Sequence, residues 1–153
     1  MLPATTYRVA RQTPDHINER IRRQTEDNVA RYSSAGPDAV RKRLLELDHE
    51  WDMERSLQAN AAGVSLIGLG LGAFVNKKWF ALPVFVAVFL MQHALHGWCP
   101  PVPVLRRLGI RTASEIEWER YALKSLRGDF RDLPVSEDGD WEAVDKTLQA
   151  VRL

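Results

Sequence analysis

The chain has 153 residues, enough for one domain of ordinary size, and carries 21 Lys+Arg against 20 Asp+Glu. That near-balance excludes a globally basic nucleic-acid binder. The lone cysteine, Cys99, excludes an intramolecular disulfide framework and an all-cysteine zinc site within one chain.

In the N-terminal segment, 1–57, the pattern predicts two helices. Thr13 before Pro14 reads as a helix start, and Ile17, Ile21, Val29 and Tyr32 give a sparse apolar stripe over about 14–32. Ser33 to Pro37 breaks it. A second helix, over about 38–57, carries Val40, Leu44, Leu47 and Trp51 at four-three-four spacing and is expected to run unbroken into the apolar middle. Such a stripe needs a partner, either another tail helix or a second copy of the chain.

The middle segment, 58–98, is where charge disappears. Neither Ser56 to Asn76 nor Trp79 to Leu105 contains a charged residue. The apolar parts, 59–75 and 79–98, would span about 26 and 30 Å as helices, close to the hydrocarbon thickness of a bilayer. The second is apolar all round, so it belongs in lipid or in a large core, and the polar remainder of the chain is too small to supply that core. The reading is a transmembrane hairpin, preferred over a buried hairpin in a soluble oligomer. Gly63, Gly68, Gly70 and Gly72 would weaken a helix in water, but in lipid the helix is the only way to satisfy the backbone. Ala61, Ser65, Gly68 and Gly72 then fall on one face as a small-residue seam for close packing against another helix. The GLGLG run is not a nucleotide loop, lacking a preceding strand, a phosphate-binding Lys and a following acidic residue.

Asn76, Lys77 and Lys78 make the turn, and Pro83 is tolerated in the first turn of the second span. Centring the turn near residue 77 places Asn60 beside Ala94, and Gly68 near Val86 and Ala87. Trp79 and Trp98 mark the membrane interfaces. Near the spans, Arg41, Lys42, Arg43, Arg55, Arg106, Arg107 and Arg111 lie on the tail side, against Lys77 and Lys78 in the loop. Both termini are therefore expected in the cytoplasm. No apolar run precedes residue 59, so no cleavable signal peptide is expected.

In the C-terminal segment, 99–153, Pro100, Pro101 and Pro103 predict an extended exit. Ser114 with Glu117 reads as a capping box opening a helix over about 114–127, closed by Gly128. Ile116, Leu123 and Leu126 give it one apolar side, suited to a membrane surface or to the other tail. A polar loop, 131–139, precedes a last helix over about 140–152, capped by Asp140, with Trp141, Val144, Leu148 and Val151 as its stripe. Strand signals and internal repeats are missing. The fold class is all-α: a two-span transmembrane hairpin with amphipathic helical tails.

Three groups could carry chemistry. His93, His96 and Cys99 recur every three residues at the end of the second span, and imidazole with sulfur suits zinc, copper or haem iron. Yet three ligands from one helix end are incomplete, and packing of His93 against Asn60 as a buried polar pair is the plainer expectation. Cys99 alone is a candidate reactive thiol, although a helix C-terminus does not favour thiolate. Glu46 and His49 have the E-x-x-H spacing of di-iron bundles, but the second pair such a site needs is missing, so the run Glu46 to Glu54 reads as a solvated face.

Four stretches in order resemble the YgaP-like inner-membrane family of unknown function: Trp51-Asp52-Met53-Glu54-Arg55, Leu57-Gln58-Ala59-Asn60-Ala61-Ala62, Gln92 to Pro100, and Tyr121 to Phe130. The resemblance covers roughly residues 45–130, and its most diagnostic element is G-x-C-P, Gly97 to Pro100. It implies a bacterial inner-membrane hairpin, often dimeric. In the best-known members the hairpin follows a rhodanese sulfurtransferase domain with a catalytic cysteine. Here the first 50 residues are helical and lack cysteine, so that activity does not carry over. The hairpin and Cys99 do.

The expectation is a small multi-pass protein of the bacterial inner membrane, both termini cytoplasmic. It would be a self-associating scaffold or accessory subunit in the lipid bilayer, without catalysis, cofactor or nucleic acid. Partners would be further copies, with another membrane complex or a sulfurtransferase as further candidates. The alternatives are a thiol or sulfur relay through Cys99, and a metal or haem site at His93 and His96.

Overall fold

The computed structural model describes residues 7–131, 133 and 141–152, and among them there are helices and no strands. In chain order these are α1 (Arg8–Arg11), α2 (Asp15–Ser34), α3 (Pro37–His49), α4 (Met53–Phe74), a 3-10 turn (Lys77–Phe80), α5 (Ala81–His96), α6 (Val102–Arg107), α7 (Ala113–Arg127) and α8 (Trp141–Arg152). The expected Asp140 cap and most of the 131–139 loop lie outside the described residues. The chain divides into two compact units, one of residues 1–24 and 50–116, the other of 25–49 and 117–153.

The first unit contains the hairpin. Two helical stretches, Pro37–Phe74 (interrupted at residues 50–52) and Lys77–His96, are long and apolar enough to cross a membrane. Only 22% and 6% of their apolar windows are buried, so neither is the enclosed core helix of this chain. The interruption corrects the expectation of one unbroken helix from 38 to 57. Asp52 leaves the helical region and its side chain accepts from the Arg55 N–H at 2.7 Å, capping α4. The Met53 N–H turns instead to the Arg111 carbonyl at 2.8 Å.

The small-residue seam is used inside the hairpin. Ala61, Gly68 and Gly72 are buried and Ser65 is half-buried. A Cβ at Gly68 would stand 2.8 Å from Pro83 Cδ, and one at Gly72 would stand 2.7 Å from the Phe80 ring. The register differs from the expected one by a helical turn, with Gly68 facing Leu82 and Pro83 rather than Val86 and Ala87. The cause is the turn: α4 ends by Val75, and Asn76 at once caps the 3-10 turn by accepting from Lys78 N–H at 2.9 Å.

Below the hairpin, Val9, Met53, Leu57, Cys99 and Val102 form an apolar core, joined by Phe89, Leu90, Leu105 and Ile110. The prolines after α5 do not give an extended exit. Pro101 and Pro103 sit where the first turn of α6 needs no N–H, and the chain folds back against the hairpin. Arg106 is fully buried and gives Glu115 two bonds, at 2.6 and 2.8 Å, with a third to Asn18 at 2.8 Å. The capping box of α7 lies two residues before the expected Ser114 and Glu117. The Thr112 N–H donates to Glu115 at 2.8 Å and the Glu115 N–H to Thr112 Oγ1 at 3.3 Å.

The second unit packs Val40, Leu44 and Leu47 of α3 with Leu123 of α7 and Ala143 of α8 in its interior. Glu119, fully buried, accepts from Arg43 at 2.7 Å and Asn28 at 3.3 Å. Lys124, also buried, donates to the Val151 carbonyl at 2.7 Å, closing the last turn of α8. Leu126 is exposed, contrary to expectation, because the inward face of α7 runs through Glu119, Leu123 and Lys124. Trp141, Leu148 and Val151 are exposed as well, and the inward residue of α8 is Ala143.

Candidate functional site

The chemistry-bearing residues of the first unit gather where α5 ends. Gly97 stops the helix with φ +80°, and its N–H donates to the His93 carbonyl at 2.7 Å. Glycine is required there twice over: L side chains disfavour that backbone angle, and a Cβ would stand 2.6 Å from the Arg8 carbonyl. That close approach lets α1 dock across the helix end, where Arg8 Nη1 donates to the Ala94 carbonyl at 3.1 Å.

Arg8 also reaches the start of α4, donating from Nη2 to Glu54 at 2.8 Å. The same carboxylate faces His93 Nε2 at 3.2 and 3.3 Å. Arg8, Glu54 and His93 thus form one polar cluster joining α1, α4 and α5. His93 is buried, and its Nδ1 has no hydrogen-bond partner among the described residues. The pair expected from the sequence, Asn60 with His93, is not formed. Asn60 is exposed, and the partner of His93 is Glu54, one and a half turns nearer the start of α4. The longer carboxylate side chain, anchored by Arg8, takes the place that the shifted register denies to Asn60.

His93, His96 and Cys99 do not converge. His93 turns inward to Glu54, His96 is exposed, and Cys99 lies in the apolar core beside Leu57 and Val102. Among the described residues there is no group of three or more His, Cys, Asp or Glu placed to hold a metal ion. Glu46 and His49 lie exposed on α3, with Glu46 paired to Arg43 at 3.2 Å. Cys99 is 4% exposed, and burial pushes its thiol above the ordinary value. A buried thiol held protonated is a poor nucleophile.

The sequence left Arg8 unmarked and read Glu54 as part of a solvated face, whereas Glu54 is half-buried and bonded to Arg8 and His93, a pairing across distant parts of the chain that spacing does not reveal. A signal was present, however. Glu54 stands just before the charge-free run, where an uncompensated carboxylate would be costly. No family model, no curated protein and no solved structure matches this chain.

Proposed function

We propose that the protein is a multi-pass membrane protein, its α4–α5 hairpin in the bilayer and its two termini on the cytoplasmic side. Its work is that of a scaffold or accessory subunit, not of an enzyme. The observation that carries this reading is the apolar exterior of the hairpin. Leu66, Ile67, Phe74, Val84, Phe85 and Met91 are each more than 60% exposed. A contiguous surface of that kind is aggregation-prone in water and is the normal exterior of a helix in lipid. Lys77 and Lys78 at the turn and the arginines near the other end orient it, tails inward. The resemblance to the YgaP-like family points to the same bacterial inner-membrane address.

The self-association belongs to surfaces other than the Gly68 and Gly72 seam, which the chain fills with its own Phe80, Leu82 and Pro83. Trp118 and Trp141, 68% and 83% exposed, offer the second unit apolar contacts for a further copy. The sulfur-relay alternative asks for an accessible, ionisable thiol, and Cys99 as placed gives it no support. The metal alternative asks for convergence of His93 with His96, which α5 does not provide.

Membrane fractionation of the expressed full chain tests the reading. The protein should stay with the membranes through alkaline carbonate extraction and leave them only with detergent. Release into the carbonate supernatant would contradict it.

A further inference from the structure

The apolar side of the site continues into a cavity of about 190 Å³ between α4, α5 and the segment that follows α5. Ala61 and Val64 line it from α4, Val86 and Phe89 from α5, and Cys99 and Pro100 from the returning chain. The lining is almost wholly apolar. Its one side-chain amide is that of Asn60, an exposed residue. The cavity opens to the outside rather than being sealed, and walls with so few polar partners for water favour hydrocarbon.

We propose that the cavity holds one acyl chain of a glycerophospholipid from the leaflet on the side of the tails, with Asn60 donating to the ester carbonyl. The inference rests on the membrane reading above. Three observations select this occupant. The walls belong to the two helices whose outer faces, at Ile67 and Phe85, are exposed and apolar, so acyl chains are the surrounding medium. The cavity lies toward the tail end of the hairpin, since Leu57 and Asn60 belong to the first two turns of α4 and Cys99 and Pro100 follow α5. Asn60 is the second residue of the first apolar run, which on the membrane reading sets it near the lipid ester carbonyls, and its amide supplies two donors to groups that only accept.

The full chain is reconstituted in dioleoylphosphatidylcholine vesicles doped with an analogue carrying a photoactivated diazirine on one acyl chain. After irradiation, adducts are mapped by mass spectrometry. Adducts at Ala61, Val64, Val86 and Phe89 should exceed those at Ile67 and Phe85 several-fold, and Ala61→Phe, which fills the cavity, should remove the excess. Should that variant fail to fold, Asn60→Leu keeps the cavity and removes the donor, and the excess should fall several-fold. An even spread, or adducts on the outer faces alone as when a second copy's side chain fills the cavity, overturns the acyl-chain site while leaving the hairpin in lipid. Absence of adducts from both sets overturns the membrane reading too. An unchanged excess in Asn60→Leu overturns the role of Asn60.

Discussion

Arg106 shows how much one side chain can hold in this chain. It is fully buried, yet it reaches Glu115, Asn18 and the Ile110 carbonyl at 3.2 Å. Removing it would leave a partly buried carboxylate unpaired, so Arg106→Ala should cost about 3–5 kcal/mol in chemical denaturation. Glu115 brings a pH dependence. Burial alone would raise its carboxyl, but the bonds from Arg106 and from the Thr112 N–H hold it below the ordinary value. A depressed carboxyl contributes stability that is full above its unfolded value, 4.5, and is lost as pH falls through the lower folded one. Acid should therefore loosen the α6–α7 corner below about pH 4.5, and Glu115→Gln should flatten that part of the stability profile. An acid limb as steep in Glu115→Gln as in the parent would assign the effect elsewhere. Gly97 makes a second residue-scale case. Gly97→Ala meets both a positive φ and the Arg8 carbonyl, so α1 should come away and its amides exchange faster, with α7 unaffected.

Among the elements, the hairpin seam gives the sharpest consequence. Gly68→Ile and Gly72→Ile should push Pro83 and Phe80 away and separate the two spans within one chain. The measurable outcome is an increased α4–α5 distance between spin labels, with the particle mass in light scattering unchanged. Dissociation with the distance unchanged would return the seam to the contact between copies. In the second unit, Lys124→Met should free the α8 terminus, because the amine is what meets the last carbonyls of that helix. Ile17 and Ile21, and Val40, Leu44 and Leu47, are buried as their spacing predicts, and Gly128 ends α7 with φ +94°, but Val29 and Tyr32 of the first stripe are only half-buried while Thr25 and Asn28 are buried beside them. Those features are local, set by helical period and backbone freedom. What spacing hid was non-local. Trp51 continued the stripe of α3 arithmetically, but the chain breaks before it, and Arg55 stacks on its exposed ring at 4.5 Å. Leu126 and Trp141 looked inward by pattern, but on α7 buried Glu119 and Lys124 take inward positions because Arg43, Asn28 and the α8 carbonyls satisfy them, and on α8 the inward residue is Ala143. Spacing hid the Arg8–Glu54–His93 cluster as well, since three separate helices supply it, and only the place of Glu54 before the charge-free run pointed to it.

For the whole molecule, the polar units and the apolar hairpin make opposite demands on solvent. At the start of α4 and the end of α5 the Arg8–Glu54–His93 cluster and the core around Val9 and Val102 form a collar of protein over part of the surface. Beyond that collar the hairpin offers carbon outward along both helices. A helix pair of this kind satisfies its own backbone and leaves side chains to the medium, which is what a bilayer permits. The proposed self-association through the second unit makes a separate prediction: Trp118→Lys with Trp141→Lys should reduce the particle mass in light scattering without releasing the protein from membranes. The central claim is that the medium around the hairpin is hydrocarbon, and spin labels at Ile67 and Phe85 in a Cys99→Ser background, reconstituted in vesicles, test it most directly. Collisions with dissolved oxygen should be frequent and collisions with a water-soluble nickel chelate rare at both sites. Frequent nickel collisions, or shielding from both agents as in a protein interior, would contradict it.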